Sequence, residues 1–437
     1  MATQMESAKR GKITEEMRIV AEDEGISPDA LRDRIAKGTV IIPRNVAHEK
    51  IRLIGIGEGL RTKVNANLGT SSDLCNPKLE VTKAKTAVKY GADTIMDLST
   101  AGDLSQLRKT LLKATSVPFG TVPIYQSTVQ TAAKKGSIVD MTEDDLFNAI
   151  EQHAKDGVDF ITVHCGVVKQ IVDHIVRHPR LIGIVSRGGT FLTTWILYNQ
   201  KENPLYANYD YLLELVKEYD MALSLGDGLR PGSIFDATDW PQLQELLILS
   251  ELVKRAHKAN VQVMVEGPGH LPLNHIEANV QLEKFLCKGV PFYVLGPIVT
   301  EIAPGYDHIV AAIGGAVAAL AGADFLCYVC PSEHLGIPLV EDVKLGVIAM
   351  RIAAHAADIV KLGSRASNRD LQMDKARAKL DWESQFKMAL DSEHARQVYL
   401  RIKPKVTGTC TMCGKYCALK LLAKQLKKPD LAKLGCL

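Results

Sequence analysis

The sequence predicts an α/β fold, a (β/α)8 TIM barrel with an N-terminal α/β extension and a C-terminal helical segment. Eight short β-rich runs follow one another beyond residue 82, and each is followed by a stretch of helical pattern. Polar, titratable or glycine-rich clusters stand after almost every run. Because the active sites of such barrels lie at the carboxyl ends of the strands, these clusters indicate one shared site.

The predicted strands are short and spaced as in a barrel of about 250 residues. They are Thr94–Leu98, Gly120–Ile124, Phe160–His164, Ile182–Ser186, Ala222–Gly226, Val261–Glu266, Pro291–Gly296 and Asp324–Val329. Residues 1–82 are predicted to form an N-terminal domain, residues 83–363 the catalytic barrel, and residues 364–437 a charged helical segment. Within the first domain a helix is predicted to begin at Pro28, with Ser27 as its N-cap.

Composition excludes several classes of protein. The 437 residues are 46% hydrophobic, and 53 Lys and Arg against 50 Asp and Glu leave a net charge of +3. Such a small and interspersed charge argues against nucleic acid as the main partner, so any anion site must be local. No apolar run reaches membrane-spanning length, and the first twelve residues contain no signal core. We therefore expect a cytoplasmic protein with no membrane partner.

Three of the nine cysteines form a cluster motif. The others are scattered, which argues against a disulfide framework and for a reducing compartment. Cys410, Cys413 and Cys417 lie within eight residues, close enough to ligate one metal centre. A [4Fe–4S] cluster held by three thiolates keeps one iron open for a cofactor such as S-adenosylmethionine. The alternatives are a zinc knuckle completed by a distant ligand, or three unligated thiols.

Two further constellations follow predicted strands. His270 comes after the sixth strand and His334 after the eighth, so both imidazoles are expected at the barrel mouth, where they suit a zinc-like ion. The alternative is two separate structural histidines. Glycine amides and the guanidinium groups of Arg187 and Arg230 suit a phosphate, and Asp227 suits a hydroxyl group.

Long ordered motifs then resemble the phosphomethylpyrimidine synthase family of thiamine biosynthesis, from about residue 5 to residue 420. The motifs are VNANLG at 64–69, MDLST at 96–100, VPIYQ at 122–126, SRGG at 186–189, SLGDGLRPG at 224–232, EGPGH at 266–270, APGYDH at 303–308, CYV at 327–329 and EHL at 333–335. The resemblance implies a radical S-adenosylmethionine lyase acting on 5-aminoimidazole ribotide with a [4Fe–4S] cluster. It also implies a homodimer, in which the cluster segment closes over an active site, and an electron donor such as a flavodoxin or ferredoxin.

The resemblance also implies roles for individual residues. The expected ribotide-binding residues are Asn67, Met96, Tyr125, His164, Ser186, Arg187, Gly188, Asp227, Arg230, Glu266 and Tyr293. His270 and His334 are the expected zinc ligands, and Cys410, Cys413 and Cys417 the expected ligands of the [4Fe–4S] cluster. The expected catalytic residues are Glu266, Tyr293, Asp227 and Cys330.

Two departures from the family pattern bear on the product. Ala101 stands where pyrimidine synthases have glycine, and Cys330 stands where they have threonine. We expect both at the catalytic face, so they favour the anaerobic paralogue 5-hydroxybenzimidazole synthase of cobalamin biosynthesis, which uses the same ribotide. The alternative is a phosphomethylpyrimidine synthase, which makes 4-amino-2-methyl-5-hydroxymethylpyrimidine phosphate. A more remote alternative is a non-enzymatic metal-binding ribotide sensor.

Overall fold

The computed structural model describes residues 2–425, which divide into two compact units between residues 362 and 363. The strands are β1 Val40–Ile41, β2 Ile56–Gly57, β3 Lys63–Leu68, β4 Thr94–Asp97, β5 Phe119–Thr121, β6 Phe160–Val163, β7 Ala222–Leu225, β8 Val263–Gly267, β9 Phe292–Leu295 and β10 Phe325–Cys327. In the first unit the helices are α1 Gln4–Lys9, α2 Glu15–Glu24, α3 Pro28–Lys37, α4 Pro77–Lys89, α5 Leu104–Ala114, α6 Pro123–Lys135, α7 Glu143–Asp156, α8 Lys169–Arg177, α9 Arg187–Asn199, α10 Pro204–Ala207, α11 Tyr209–Glu218, α12 Trp240–Ala259, α13 Ile276–Leu286, α14 Asp307–Ala321 and α15 Val340–Leu362.

The second unit is helical. Its α-helices are α16 Ser364–Lys379, α17 Trp382–Met388, α18 Ser392–Leu400 and α19 Ala418–Gln425. Short 3-10 helices lie at Ile138–Asp140, Leu273–His275 and Gly414–Tyr416. Among the described residues, no helix combines the length and the apolar character needed to cross a membrane.

The predicted (β/α)8 barrel is confirmed. The strands β3 to β10 pair in parallel in sequence order, and β10 pairs with β3 to close the sheet. In that last ladder Phe325 lies opposite Lys63 and Cys327 opposite Asn65. Parallel pairing of all eight strands places their carboxyl ends at one mouth.

The N-terminal extension has a small core of its own. The ribbon of β1 and β2 is antiparallel, and it packs with α1, α2 and α3 through buried side chains such as Met17 and Leu31. The helix start expected at Pro28 is present, because Ser27 Oγ accepts a hydrogen bond from Ala30 N–H at 3.2 Å. A left-handed Gly38 then ends α3.

One predicted strand is wrong and one strand was missed. Residues 182–186 are irregular, and Leu181 and Ile182 are 71% and 53% exposed. No place in the sheet is open to them, because β6 already pairs directly with β7. The missed strand is β3, which lies inside the range 1–82 assigned to the N-terminal domain. Thus the barrel begins at Lys63 rather than at residue 83.

Aromatic rings fill the barrel interior and need glycine on a neighbouring strand. A Cβ at Gly120 of β5 would lie 2.3 Å from the Phe160 ring of β6. The Phe160 ring also meets the Phe325 ring edge-on, with centroids 6.3 Å apart. Close packing of this kind leaves little freedom to absorb an added methyl group.

We therefore expect Gly120→Ala to destabilise the barrel by about 1 to 3 kcal/mol, the usual cost of overpacking a core. The matched control is Gly336→Ala, because a Cβ at Gly336 would meet no described atom within 4 Å. Urea unfolding of the two variants measures the difference. Equal stability of the two variants would contradict this account of the interior.

Candidate active site

A cavity opens at the carboxyl ends of the barrel strands. It encloses about 470 Å³ of empty space, its open mouth included. The lining side chains come from all eight strands or from the turns that follow them: Asn67, Met96, Leu98, Val122, Tyr125, Thr162, His164, Asp227, Arg230, Glu266, Gly267, Tyr293, Leu295 and Cys327. Closure of the barrel brings these residues together from positions up to 260 apart in the sequence.

Eight of the eleven residues expected to bind the ribotide line this cavity. They are Asn67, Met96, Tyr125, His164, Asp227, Arg230, Glu266 and Tyr293. The other three contact residues of its wall. Ser186 Oγ lies 3.2 Å from His164 Nε2, and a Cβ at Gly188 would lie 2.2 Å from the same ring. The Arg187 guanidinium carbon lies 5.1 Å from the centroid of the Tyr125 ring.

Asp227 and Arg230 form an ion pair in the cavity wall. Asp227 Oδ1 lies 3.1 Å from Arg230 Nη1. Asp227 Oδ2 is buried and has no hydrogen-bond partner among the described residues. Burial raises the pKa of Asp227, while Arg230 opposes that shift. This carboxyl group therefore retains one oxygen without a partner, which suits a ligand hydroxyl group.

Glu266 is held by two hydroxyl groups. Thr162 Oγ1 and Ser224 Oγ donate to Glu266 Oε1 at 2.7 and 2.8 Å. Burial raises the pKa of Glu266, and the two hydroxyl groups oppose the shift. The backbone N–H of Asp227 also donates to this carboxyl group. The Glu266 side chain is thus held in one orientation in the cavity wall.

His164 is a neutral imidazole. Its side chain is buried, and Nδ1 has no hydrogen-bond partner within the part of the chain that the structure describes. Burial lowers the pKa of His164 to about 3, with a smaller contribution from the charge of Arg230. A ring that stays uncharged at neutral pH forms hydrogen bonds here and does not take up a proton.

A chain of polar side chains runs through β3, β4 and β9, and Asn65 and Thr94 in it are not among the residues predicted from the sequence. Asn65 Nδ2 donates to Asn67 Oδ1 at 2.7 Å and to the Tyr293 hydroxyl oxygen at 2.8 Å. Thr94 Oγ1 donates to Asn65 Oδ1 at 2.7 Å. Since residues two apart on a strand share a face, the spacing of Asn65 to Asn67 was a usable signal.

The same spacing was available for other missed residues. Thr162 stands two residues before His164 and lines the cavity. Cys327, also in the wall, was noticed only as part of a motif. Its Sγ lies 3.6 Å from Asn65 Nδ2. Closure of the barrel places Thr162 and Cys327 in the cavity wall. The periodicity along a single strand carries no information about that closure.

His270 and His334 lie side by side. Their ring centroids are 5.5 Å apart, a separation that suits two imidazoles sharing one zinc, for which roughly 5 to 6 Å is expected from the usual bond length. His270 Nδ1 lies 3.0 Å from Glu301 Oε1, and His334 Nδ1 lies 2.9 Å from Asp307 Oδ1. A carboxylate on Nδ1 orients the other ring nitrogen toward a metal.

Cys330 does not line the cavity. Its thiol lies 3.3 Å from Ser332 Oγ and 3.7 Å from Glu333 Oε2, and burial raises the pKa of Cys330 to about 12. Ala101 is also absent from the wall, and its carbonyl accepts a hydrogen bond from Thr70 Oγ1 at 2.7 Å. The structure therefore does not bring the expected catalytic Cys330 together with Asp227, Glu266 and Tyr293.

The three cluster cysteines lie in the second unit, in the turn between α18 and α19. Cys413 is exposed, Cys410 is half-buried and Cys417 is buried. Backbone bonds from Gly414 N–H to the Cys410 carbonyl (3.1 Å) and from Tyr416 N–H to the Cys413 carbonyl (2.9 Å) shape the turn. Across residues 2–425, no three His, Cys, Asp or Glu side chains are arranged to hold a metal ion.

A (β/α)8 barrel whose eight strand ends carry paired carboxyl, guanidinium and imidazole groups defines an enzyme of small-molecule chemistry. Residues 3–424 match the sequence pattern of the Radical SAM ThiC family. The chain belongs to that family.

Relatives from distant organisms support the assignment. A phosphomethylpyrimidine synthase of Dehalococcoides mccartyi is 57% identical over 424 residues, which cover 97% of this chain and 98% of that protein. The one from Methanocaldococcus jannaschii is 56% identical, with 98% and 100% covered. The one from Desulforamulus reducens is 53% identical, with 98% and 99% covered.

The neutral state of His164 is open to direct measurement. In protein labelled with 15N-histidine, the His164 ring resonances should keep neutral-imidazole positions from about pH 8 down to about pH 5, because burial disfavours the charged ring. His164→Gln assigns the signal by removing it. A titration midpoint above about pH 5 would contradict the neutral assignment.

Proposed function

We propose that the protein is a phosphomethylpyrimidine synthase, a radical S-adenosylmethionine lyase that converts 5-aminoimidazole ribotide into 4-amino-2-methyl-5-hydroxymethylpyrimidine phosphate for thiamine biosynthesis. One observation carries the proposal: eight of the eleven residues expected to bind the ribotide line a single cavity. Membership of the Radical SAM ThiC family supports the radical chemistry. The names of the three relatives described above support the product.

The expectation of a benzimidazole product is not carried forward. It depended on Ala101 and Cys330 touching the path of the rearranging substrate. Neither residue lines the cavity, and the Cys330 thiol faces Ser332 and Glu333 instead. The three relatives, at 53% to 57% identity, are named for the pyrimidine product. These observations favour the alternative that the sequence left open.

Cationic and backbone groups suit the ribotide phosphate. Arg230 contributes one guanidinium group to the wall, and Arg187, at the start of α9, lies over the ring of the wall residue Tyr125. Gly188 belongs to the first turn of the same helix, where backbone N–H groups attract anions. Ser186 caps that helix by accepting from Gly189 N–H at 3.2 Å. In our proposal these groups hold the phosphate while the free oxygen of Asp227 takes a ribose hydroxyl group.

The remaining polar groups suit the imidazole ring and the migrating fragment. Glu266 is oriented by two hydroxyl groups, and the Tyr293 hydroxyl accepts from Asn65 and contacts Cys327. Burial raises the pKa of Tyr293 well above its usual value, so the phenol stays protonated. Met96, Leu98, Val122 and Leu295 add apolar surface that excludes water from a reactive radical.

Two cofactors and an ion complete the proposal. When bound to a reduced [4Fe–4S] cluster, S-adenosylmethionine supplies the adenosyl radical that starts the reaction. The ligands we assign to the cluster are Cys410, Cys413 and Cys417, because thiolates are the donors that a [4Fe–4S] cluster takes. The ligands we assign to zinc are His270 and His334, each oriented by a carboxylate.

An exposed apolar face supports the expected homodimer. Ile309, Ile313 and Leu320 lie on one side of α14 and are each about half exposed. Ile352 on the packed neighbour α15 is 54% exposed. Exposed apolar side chains on the faces of neighbouring helices are typical of association surfaces. We assign this face to the homodimer, and a flavodoxin or ferredoxin to the role of electron donor.

The cluster assignment makes a first prediction for function. Changing any of Cys410, Cys413 or Cys417 to Ala should abolish 5′-deoxyadenosine formation and lower bound iron, because each thiolate is one of three ligands. The barrel should stay folded by circular dichroism, since these residues lie outside it. The matched control is the exposed Cys75→Ala, which should keep its iron. Cys436, which lies outside the described residues, should also be dispensable. Retained cofactor cleavage in a Cys413→Ala variant would refute the assignment.

A product assay tests the reaction itself. After anaerobic reconstitution with S-adenosylmethionine, 5-aminoimidazole ribotide and a reductant, mass spectrometry should detect the pyrimidine phosphate. Cys330→Thr combined with Ala101→Gly should leave that product unchanged, because neither side chain lines the cavity. Formation of 5-hydroxybenzimidazole would restore the earlier expectation. Absence of 5′-deoxyadenosine in every condition would favour a sensor.

A further inference from the structure

The loop at residues 227–230 carries two wall residues of the cavity and is supported from outside it. Arg230 N–H donates to the Asp227 carbonyl at 3.1 Å, which closes a tight turn. Leu229, between them, is fully buried. Because the Asp227–Arg230 pair must stand at a defined place to receive a ligand, whatever fixes this turn also fixes the site.

Glu245 holds the turn from one side. It lies on α12, and its Oε2 accepts a hydrogen bond from Leu229 N–H at 2.8 Å. The side chain is buried, and Oε1 has no hydrogen-bond partner in the described part of the chain. It occupies a slot that Gly166 leaves open, since a Cβ there would lie 2.6 Å from Glu245 Cγ. Glu245 therefore contacts the turn without lining the cavity.

Arg180 holds the turn from the other side. Arg180 Nη1 donates to the Arg230 carbonyl at 3.3 Å. Its Nε and Nη2 form a two-point pair with Asp239, both at 2.7 Å, and the side chain is only 3% exposed. Asp239 is the N-cap of α12, where it accepts from Gln242 N–H at 3.1 Å. The second support is therefore anchored on the same helix as the first.

The 227–230 turn also contacts the first turn of α9, where Gly188 and Gly189 lie. A Cβ at Gly189 would lie 2.0 Å from the Gly228 carbonyl oxygen, so the two backbones are in direct contact. A shift of the 227–230 turn would press on the first turn of α9. Support from α12 consequently reaches both loops that we expect to bind the ribotide.

We infer that Glu245 and Arg180 are positioning residues, which clamp the Asp227–Arg230 turn against α12 and so set the affinity for an anionic ribotide. This inference rests on the proposed function for its ligand. Neither residue lines the cavity, so both act through the turn.

Substitutions of Glu245 distinguish two ways in which it could support the 227–230 turn, namely by its hydrogen bond or by its charge. Burial raises the pKa of Glu245 to about 8, with the charge of Asp227 as the second cause. Near neutral pH the protonated form therefore predominates, and what the turn needs is an acceptor oxygen. Glu245→Gln keeps that oxygen, whereas Glu245→Ala leaves Leu229 N–H buried without an acceptor.

The test is equilibrium binding of 5-aminoimidazole ribotide to the full chain by calorimetry, which needs no cluster chemistry. Glu245→Ala and Arg180→Met should each raise Kd by at least about tenfold, and Glu245→Gln should stay within about threefold of the unmodified protein. The matched control is Glu251→Ala, on the exposed face of α12, which should bind as the unmodified protein does. In turnover assays the loss should fall on KM rather than kcat.

The binding results distinguish a failure of the proposed function from a failure of the positioning role. Absence of binding by the unmodified protein overturns the proposed function and this inference with it. Normal binding by Glu245→Ala or by Arg180→Met, when the unmodified protein binds, overturns this inference alone. An equal loss in Glu245→Gln and Glu245→Ala would indicate a charge effect and overturn positioning. If circular dichroism shows that Glu245→Ala does not fold, Arg180→Met decides the result.

Discussion

The pairing of β10 with β3 is the interaction on which the rest of the structure depends. This ladder joins residues more than 260 apart in the sequence, since Cys327 lies opposite Asn65. It turns an open sheet into a closed barrel, and closure brings the eight carboxyl ends to one mouth. Without it Asn67 of β3 and Cys327 of β10 would lie at opposite edges of a sheet. Aromatic rings within the barrel, such as Phe160 packed over Gly120 and edge-on to Phe325, support the closed form.

The mouth concentrates charge in a poorly hydrated place, where charge is costly unless it is paired. Two carboxyl groups, on Asp227 and Glu266, stand with the guanidinium group of Arg230, and burial raises the pKa of both acids. The same environment keeps His164 neutral. A ribotide phosphate would change this balance, because it adds negative charge beside Arg230 and Arg187. Substrate binding and the protonation of the wall are therefore coupled in our proposal.

Product choice among enzymes that share a substrate has to be decided by groups that touch the rearranging atoms. Ala101 and Cys330 stand close in sequence to wall residues, yet their own contacts are with Thr70, Ser332 and Glu333. Whether a residue affects the product is therefore indicated better by its place in the cavity wall than by its position after a strand in the sequence. The side chains in that wall, including the unanticipated Thr162 and Cys327, are the ones able to steer a radical.

The sequence by itself determined the fold class, the family and most of the candidate wall, because strand periodicity, ordered motifs and residue chemistry are local properties of the chain. It predicted that Asp227, which pairs with Arg230, is a site residue, and that His270 and His334 lie near each other. It predicted a strand at Ile182–Ser186 that is absent, because the apolar residues there are exposed and not part of the sheet. It did not predict β3, because the two asparagines of that strand break the apolar pattern typical of a barrel strand. Only the tertiary structure decided that Cys330 faces away from the cavity and that Glu245 and Arg180 support the turn. Those facts depend on where distant segments pack, and no pattern along a single segment records them.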